Sequence, residues 1–280
     1  MFCIVDVDST RKEAIEPLGT KRKFWFYRGE KQVLYKVEER GTGEDWAEKV
    51  ASELCDQFGL PHVSYELARD PNEGTRGVVC DRFAAPPSAL AHGNQLLLVL
   101  DSNYPAGQKY KVPAHTVNAV CSVLSLIGPP PANWCGDSPE VAKSAVDFFC
   151  GYVLLDAWIA NQDRHHQNWG AIWDGEFLQL APTFDHGAAM ARNLSDTERE
   201  ERLRSKNRDR QIAHFASRAR SAFFGDPTDQ RTLTTFDVRG GLLRQRFPQA
   251  RRHGWRNLRE LTSHRLRQFL SKFRRIECRT

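Results

Sequence analysis

The sequence predicts an α+β fold with two lobes: a small, β-rich N-terminal lobe that contains one helix, and a larger, mainly helical C-terminal lobe. Three observations predict it. Residues 24–39 alternate apolar and polar side chains across a turn, residues 42–61 follow the period of an amphipathic helix, and helical patterns dominate beyond a break near residue 84. The predicted lobes are therefore residues 1–83 and residues 84–280.

In the N-terminal lobe, the stretch FWFYRGEKQVLYKVEE predicts a hairpin that turns at residues 28–31. Thr42, with Asp45 three positions later, predicts the start of a helix, and GLP at residues 59–61 predicts its end. Spacing by four positions predicts the buried face of this helix: Trp46, Val50, Leu54 and Phe58. Residues 76–83 predict another strand, and residues 85–91 predict a hinge.

In the C-terminal lobe, four helices are predicted. The first buries Val117, Val120, Cys121 and Leu124. The second begins at Ser138 and Pro139 by the rule that proline follows a capping residue, and it is apolar on nearly all sides up to residue 160. Ser195 with Glu198 predicts the start of a third. The last has an apolar face of Leu266, Phe269, Leu270 and Phe273.

Composition excludes several classes of protein. With 280 residues, 40% of them hydrophobic and 10% aromatic, the chain can bury a core and is not disordered throughout. No apolar run approaches the roughly 20 residues of a membrane-spanning helix, and the apolar stretch at the N-terminus is too short for a signal peptide. Seven cysteines lie scattered without C-x-x-C spacing, as in reduced proteins. We therefore expect a cytoplasmic protein with no membrane span.

Charge is unevenly distributed along the chain. Residues 201–280 contain 21 Lys and Arg and 7 Asp and Glu, a net charge of +14, which leaves −9 for residues 1–200 out of +5 overall. Such a basic region is compatible with a nucleic-acid partner. We favour arginine-rich helices with a solvated face, because no motif interleaves these charges with aromatic residues.

One aspartate, two histidines and two asparagines lie close together in the stretch WIANQDRHHQNWGAIW, directly after the long apolar helix. Asp163 and Asn168 are five positions apart, which is the D-x-x-x-x-N spacing of the catalytic loop in protein kinases. In such a loop the aspartate orients or accepts the proton of an attacking hydroxyl, and the asparagine oxygen holds Mg²⁺ without adding charge. A second metal carboxylate is expected after the next hairpin. Asp185, in TFDHGAAM, lies there, 22 positions after Asp163, and Gly187 is predicted to let the backbone turn beside the ion.

The chemistry also needs a lysine and a glutamate in the small lobe, because a lysine must contact the ATP phosphates and a glutamate must pair with it. Lys36 lies between apolar residues of the second predicted strand, and Glu48 lies one turn inside the following helix. These two residues are the candidates for the pair.

The stretches GEDWAEKVASELCDQFGLP, NQDRHHQNWGAI and LAPTFDHGAAM together resemble the HipA-like serine/threonine kinases, and specifically their compact stand-alone members. The two motifs D-R-H-x-x-N and D-x-G also resemble those of phosphoinositide kinases. The resemblance covers most of residues 20–200 and implies a protein-kinase-like two-lobe fold that uses ATP and Mg²⁺.

Position by position, the resemblance implies roles for six residues. Asp163 would be the catalytic aspartate, with His165 as a structural or orienting histidine two positions later. Asn168 and Asp185 would be the magnesium ligands. Lys36 would contact the phosphates, and Glu48 would be its partner.

One part of the kinase pattern is missing, because the first eighty residues contain no G-x-G-x-x-G. In its place stands PLGTKRK, and the candidates to grip phosphate are the amides of Gly19 and Thr20 with the side chains of Lys21 or Lys23. A plain basic turn is the alternative for this segment. Arg82 and Phe83, at the end of the last N-terminal strand, are further candidate nucleotide contacts.

Several functional questions stay open at this point. The acceptor expected from the resemblance is a protein, but a lipid or small-molecule hydroxyl is an alternative. A pseudokinase that binds nucleotide without turnover would keep the fold. A metallohydrolase would use Asp163, Asp185 and the histidines His165, His166 and His186 as ligands, although no H-x-H or H-x-x-x-H spacing supports it. An antitoxin-type partner is compatible with the family, although we expect the chain to lack the extra N-terminal subdomain of the longer HipA toxins, which weakens the inference of such a partner.

Overall fold

The N-terminal part of the chain forms a six-stranded sheet. The computed structural model describes residues 2–15, 22–39, 41–136 and 142–246. The strands are β1 (Ile4–Asp6), β2 (Ala14–Ile15), β3 (Lys23–Arg28), β4 (Lys31–Val37), β5 (Glu66–Asp70) and β6 (Thr75–Asp81), in the spatial order β1-β5-β6-β4-β3-β2. β1 and β5 are parallel and all other neighbours are antiparallel. β3 and β4 form the predicted hairpin, and its turn places Gly29 at a φ of 64°.

Strand β4 presents its side chains to two environments. Alternate residues point to one face of the sheet and lie in its buried core: Val33, Tyr35 and Val37. Leu34 and Lys36 lie between them in sequence and therefore point to the opposite face. There, a second apolar cluster includes Leu34 and joins the sheet to the C-terminal part of the chain through Ile172 and Phe184. The side chain of Lys36 therefore points from the strand toward the C-terminal part of the chain.

Helix α1 (Glu44–Phe58) connects β4 to β5, and its start differs from the prediction. The N-cap residue is Gly43, with a φ of 90°, rather than Thr42. The side chain of Glu38, just after β4, caps the helix by accepting hydrogen bonds from the amides of Glu44 (2.5 Å) and Thr42 (3.4 Å). A carboxylate is favourable here because the first amides of a helix lack partners within the helix. The strand that carries Lys36 therefore also anchors α1.

The buried face of α1 also differs from the prediction. Three of the four predicted residues are only half-buried: Trp46, Val50 and Leu54. Half of the buried residues have small side chains, and the full set is Glu44, Asp45, Ala47, Glu48, Ala51, Ser52, Cys55 and Phe58. Small residues let the helix backbone approach its neighbours closely. This rotation of the helix brings Glu48 inside, where only 2% of its surface is exposed.

The C-terminal part contains six helices within the described residues and a second sheet. The helices are α2 (Gly93–Leu100), α3 (Val117–Leu124), α4 (Ala145–Trp158), α5 (Asp196–Arg204), α6 (Ile212–Arg218) and α7 (Thr235–Arg246). The sheet is antiparallel, in the order β7 (Ala89–His92), β8 (Gly170–Trp173) and β9 (Leu178–Leu180). Helix α4 is the buried central helix, and its Phe149 and Tyr152 lie in the main apolar cluster with Val120 of α3 and Leu242 of α7.

Some predicted helix boundaries are confirmed and others are wrong. Ser195 caps α5 by accepting a hydrogen bond from the amide of Glu198, as predicted. Helix α4 does not begin at Ser138: its N-cap is Ser144, whose side chain and that of Asp147 form a capping box. The sequence patterns did not predict β7 or α2, and the helix predicted at residues 266–273 lies outside the described residues. Within the described residues, no helix is long and apolar enough to cross a membrane.

The close packing of β4 against β6 leads to a stability prediction. A Cβ atom on Gly77 of β6 would lie 2.0 Å from the backbone oxygen of Lys36, so Gly77→Ala must push the strands apart. We expect the free energy of unfolding to fall by about 2–3 kcal/mol, the scale of an overpacked core. Urea unfolding measures it. The matched control is Gly240→Ala in α7, where nothing lies within 4 Å of the new atom and stability should be unchanged or slightly higher. Equal stabilities for the two variants would contradict this packing.

Candidate active site

The polar loop predicted to carry the chemistry begins where α4 ends. The amide of Ile159 completes the last turn of α4 by bonding to the oxygen of Leu155, and Ala160 then adopts a left-handed φ of 53°. The amide of Asn161 returns to the backbone oxygen of Asp156, at 2.9 Å. These bonds satisfy carbonyl groups at the helix end and turn the chain out of α4. The loop therefore starts from a rigid, buried support.

Arg164 anchors this loop from inside, with only 1% of its surface exposed. Its Nε and Nη2 atoms donate to the two carboxylate oxygens of Asp156, at 2.7 and 2.8 Å, and its Nη1 donates to the backbone oxygen of Asn168 at 2.8 Å. The side chain of Asn161 donates to the same carboxylate at 2.8 Å. Because breaking a buried ion pair leaves an uncompensated charge, this arrangement strongly favours one conformation of residues 161–168.

Asp163 and Asn168 both lie in the anchored stretch and are linked to each other. The side-chain amide of Asn168 donates to the backbone oxygen of Asp163 at 2.7 Å. This bond uses the nitrogen of the amide and fixes its orientation, so the amide oxygen is the atom with which Asn168 can bind a cation. The Asp163 side chain is 35% exposed. The loop thus presents one carboxylate and one amide oxygen.

His165 is neutral and faces Asp163. Burial, together with the positive charge of Lys109, lowers the pKa of His165 to about 3. Its Nδ1 accepts a hydrogen bond from the amide of Gln167 at 3.1 Å, so the proton of the neutral ring is on Nε2. Nε2 lies 3.8 Å from the Oδ1 atom of Asp163. This geometry fits an orienting histidine better than a proton carrier at neutral pH.

Lys36 brings together residues from distant parts of the chain. Its Nζ lies 2.5 Å from Oε1 of Glu48 in α1 and 2.8 Å from Oδ1 of Asp185, which is 149 positions away in sequence. The ammonium group also lies 5.2 Å from the ring centre of Tyr65, within reach of a cation–π contact. The lysine is 6% exposed, so these groups replace most of its water.

The two carboxylates keep Lys36 charged. Burial opposes the charged form, but Asp185 and Glu48 outweigh it and hold the pKa of Lys36 well above its ordinary value. Burial raises the pKa of Glu48, against the opposite pull of the lysine. Because two carboxylates surround one ammonium, the cluster has an excess of negative charge, which favours binding of a further cation. The accessible carboxylate is that of Asp185, whose side chain is 30% exposed.

A buried chain of contacts connects this ion pair to the polar loop. The second oxygen of Glu48 accepts a hydrogen bond from the amide of His186 at 2.7 Å. The Nε2 atom of His186 lies 3.1 Å from the Nη2 atom of Arg164 and 2.9 Å from the hydroxyl of Thr183. Burial and the charge of Arg164 lower the pKa of His186 well below its ordinary value, so the ring stays neutral and can accept from the guanidinium. The loop, the residue after Asp185 and α1 are therefore one connected unit.

The sharp turn beside Asp185 has a different origin from the one predicted. The left-handed residue is Asp185 itself, with a φ of 60°, a conformation that aspartate tolerates better than most residues. Gly187 instead lies against the first turn of α1, where a Cβ atom would be 3.5 Å from atoms of Glu44 and Glu48. The expectation for Gly187 was therefore wrong.

The other residues predicted to contact the nucleotide lie in environments that differ from one residue to the next. Lys23 of β3 is the cross-strand neighbour of Lys36 and therefore lies on the same face of the sheet. Phe83 packs against Phe184, with ring centres 5.6 Å apart. Arg82 bonds to the side chain of Gln32 at 2.6 Å and lies over the ring of Trp25. Gly19, Thr20 and Lys21 lie outside the described residues, so their role stays a prediction.

The donor set fits magnesium better than zinc. Among the residues that the structure describes, no group of three or more His, Cys, Asp and Glu side chains is arranged to hold a metal ion. The metallohydrolase alternative therefore has no ligand cluster in that part of the chain. Asn168 and Asp185 offer oxygen atoms, which Mg²⁺ prefers, and Mg²⁺ normally completes its shell with water and phosphate oxygens.

Sequence reasoning missed Asp156 and Arg164, which hold the loop. A signal was present: Asp156 is the single charged residue near the end of an otherwise apolar helix, and Arg164 follows Asp163 directly. A carboxylate inside a buried helix needs a partner, and the nearest cation in sequence is Arg164.

Comparison with known proteins identifies the family of the chain and a fold shared with a kinase. The family model of the HipA-like C-terminal domain matches residues 17–238. The crystal structure of the Helicobacter pylori proinflammatory kinase CtkA matches with a TM-score of 0.55 and 20% identity, over 78% of this chain and 72% of that one. HipA of Shewanella oneidensis MR-1, solved with HipB and operator DNA, matches with a TM-score of 0.47 and 13% identity, over 84% of this chain and 54% of that one. The search of curated proteins found no match.

A buried histidine behind the loop gives a pH prediction. The Nε2 atom of His115 accepts a hydrogen bond from the indole of Trp169 at 3.2 Å, and its Nδ1 faces the backbone oxygen of Ala222 at 3.2 Å. Burial lowers the pKa of His115 from 6.5 to about 3. Between these values the unfolded chain therefore binds a proton at His115 that the folded chain does not, and the contribution of His115 to stability falls as pH decreases below about 6.5.

We expect His115→Gln to weaken this pH dependence. Through His115 alone, the free energy of unfolding should fall by about 1.4 kcal/mol for each unit by which the pH is lowered between roughly pH 6 and pH 4. The variant should be less stable than the wild type at pH 7.5, with a smaller loss on acidification. Urea unfolding at pH 7.5, 6 and 5 measures both slopes. Parallel slopes for the two proteins would show that His115 is not held neutral.

Proposed function

Because the chain belongs to the HipA-like C-terminal domain family, we propose that it is a kinase that transfers the γ-phosphate of magnesium–ATP to a hydroxyl group, with serine or threonine of a protein as the favoured acceptor. The observation that carries this proposal is the position of Lys36. Its buried ammonium contacts Glu48 and Asp185 at once, which is the pairing that a kinase needs to aim a lysine at phosphate.

The proposed architecture has two lobes, residues 1–83 and 84–280, with ATP between them. The face of the sheet that carries Lys36 supports this two-lobe architecture. It lies over an apolar cluster that contains residues of the sheet together with Ile172 and Phe184. Half-buried Leu34, Phe83 and Leu90 border this cluster. Apolar side chains of this kind suit the flat base of a nucleotide, with the phosphates directed toward the lysine.

Asp185 and Asn168 are the residues that would hold magnesium in this proposal. The ion would supply positive charge to the β- and γ-phosphates and stabilise the charge of the transferring group. Asp185 is the more exposed carboxylate of the Lys36 cluster, and the Asn168 amide is held in one orientation by its bond to Asp163. Lys36 would turn from Asp185 toward the phosphates while Glu48 keeps hold of it.

Asp163 would act on the acceptor. Its carboxylate accepts the proton of the attacking hydroxyl as the new oxygen–phosphorus bond forms and the bond to the β-phosphate breaks. Its exposure leaves room for a substrate, and the neutral ring of His165 at 3.8 Å supports its orientation. A general base needs this combination of access and fixed direction.

Other functions keep parts of the same geometry. A pseudokinase would retain the lysine cluster and bind nucleotide without turnover, and a lipid or small-molecule kinase would change only the acceptor. An antitoxin-type partner and a nucleic-acid partner for the basic C-terminal region also stay predictions. Incubation with radiolabelled ATP and magnesium, with and without added protein, separates these classes. Label on protein hydroxyls supports the proposal, whereas tight nucleotide binding without any transfer favours the pseudokinase.

Separate roles for the two aspartates lead to a prediction. Asp163→Asn keeps the shape and leaves the metal ligands in place, so magnesium–ATP binding should be nearly unchanged while phosphotransfer falls by about 10² or more. Asp185→Asn removes a full charge from the metal site, so binding and turnover should fall together. Isothermal titration with magnesium and a non-hydrolysable ATP analogue measures binding.

The control for both variants is Asp209→Asn, because this carboxylate is 83% exposed and contacts only the ring of His214 among the contacts described. It should bind nucleotide and transfer phosphate as the wild type does. Equal loss of binding in Asp163→Asn and Asp185→Asn would refute the division of roles.

A further inference from the structure

The segment that follows Asp185 and Gly187 returns to the beginning of α1. The Nη2 atom of Arg192 lies 2.8 Å from Oε1 of Glu44, the first residue of the helix. Its Nη1 atom donates to the hydroxyl of Thr42 at 3.1 Å. The side chains of Arg192 and Glu44 are only 15% and 6% exposed, so this ion pair is much less screened than a surface pair.

Arg199, in α5, also contacts the segment that leads into α1. Its Nη2 atom donates to the backbone oxygens of Arg192, at 2.7 Å, and of Thr42, at 3.3 Å. Its guanidinium group lies 5.4 Å from the ring centre of Trp46, in the first turn of α1. One planar group therefore bonds both to the chain that carries Arg192 and to the chain that leads into the helix.

The backbone before Arg192 has an unusual conformation, which these contacts maintain. Met190 and Ala191 are consecutive left-handed residues, with φ values of 56° and 54°. Side chains other than glycine rarely adopt this conformation unless the surroundings impose it. The amide of Met190 bonds to the oxygen of Ile159 beyond α4 at 2.7 Å, and Arg199 bonds to the oxygen of Ala191 at 3.4 Å. The segment is thus fixed at both ends and directs Arg192 at α1.

The start of α1 depends on contacts from outside the helix. Its N-cap is a glycine without a side-chain hydrogen bond, and Glu38 supplies the carboxylate that caps the first amides. Glu48, which pairs with Lys36, lies only four positions after Glu44 and on the same side of the helix. Any shift of the first turn therefore moves Glu48.

We propose that Arg192 and Arg199 form an arginine clasp, a pair of positioning residues that hold α1 where Glu48 can pair with Lys36. The clasp rests on the proposed kinase function, because it acts on phosphotransfer only through that pair. It connects the segment after Asp185 to α1, so a change in that segment would reach the lysine without touching ATP or the acceptor.

The test uses the full chain and two independent measurements. Hydrogen exchange of amides 44–48 reports whether the first turn of α1 is held, with or without catalysis. The kcat and KM for magnesium–ATP report whether the holding matters for the reaction. The variants are Arg192→Ala, Arg192→Lys, Glu44→Gln and the double variant Arg192→Ala with Glu44→Gln. The matched control is Arg204→Ala, also in α5, because its exposed side chain pairs only with Glu200 among the described contacts.

We expect Arg192→Ala to speed exchange at residues 44–48 by about tenfold or more, because local opening of the helix start becomes easier. The kcat should fall by about 10- to 100-fold, the scale of a misplaced catalytic group, with KM changed much less. Arg192→Lys should recover part of both, since it keeps the charge but not the two-nitrogen contact. Glu44→Gln should resemble Arg192→Ala, and the double variant should be no worse than either single variant.

Two results would overturn the clasp. One is unchanged exchange at residues 44–48 in Arg192→Ala and Glu44→Gln. The other is faster exchange with a kcat equal to that of Arg204→Ala, which would mean that the contacts only stabilise the fold. If the wild type transfers no phosphate, the proposed function fails on its own, and the exchange data still decide whether the clasp holds α1. If Arg192→Ala does not fold, Arg192→Lys and Glu44→Gln decide the question.

Discussion

The structure depends on one buried interaction, the ammonium of Lys36 between the carboxylates of Glu48 and Asp185. Removing charges from water costs on the order of several kcal/mol per ion, so such a group persists only if its partners are well placed. Here the ammonium group comes from a strand, and its two partners come from a helix and a distant loop. Forming the ion pairs therefore requires the sheet, α1 and the segment around Asp185 to be assembled together.

The same requirement explains the polar groups behind the site. Glu48 uses its second oxygen for the amide of His186, and the ring of His186 accepts from Arg164, which is held by Asp156. Each member of this chain is buried and bonds to the next, and among their side-chain nitrogen and oxygen atoms only Nδ1 of His186 has no hydrogen-bond partner within the described residues. A connected buried polar network favours one arrangement, because breaking a link leaves further polar groups without partners. The rigid loop that presents Asp163 is thus coupled to the position of α1.

Local spacing predicted much of the site. Asp163 and Asn168 lie on one loop, and Asp185 lies at the exit of the next hairpin. Because these residues are close in sequence, their spacing alone could be compared with the kinase pattern. Lys36 and Glu48 were predicted because kinase chemistry requires a lysine that contacts the ATP phosphates and a glutamate that pairs with it. The contacts among Lys36, Glu48 and Asp185 are present in the structure, whereas the catalytic and metal-binding roles stay predictions.

What the sequence did not predict depends on packing between distant segments. Periodicity allowed two adjacent faces of α1 to be buried, and the larger residues beginning at Trp46 favoured the wrong one, although the small residues of the Ala47 face permit closer approach. Glu38 was missed as a cap because it precedes the helix by six positions, and Thr42 is the conventional choice. Buried Arg164 was missed because arginine is rarely buried unless it is paired.

The most direct test of the central claim compares two lysines of the same strand. Lys36→Met and Lys31→Met both remove a positive charge from β4, but the side chain of Lys31 is 71% exposed and pairs with Asp81 at the surface. Phosphate transfer from radiolabelled magnesium–ATP should be retained in Lys31→Met. In Lys36→Met it should fall by about 10² or more, the scale for loss of a group that acts on the transition state. Full transfer by a folded Lys36→Met protein would contradict the account.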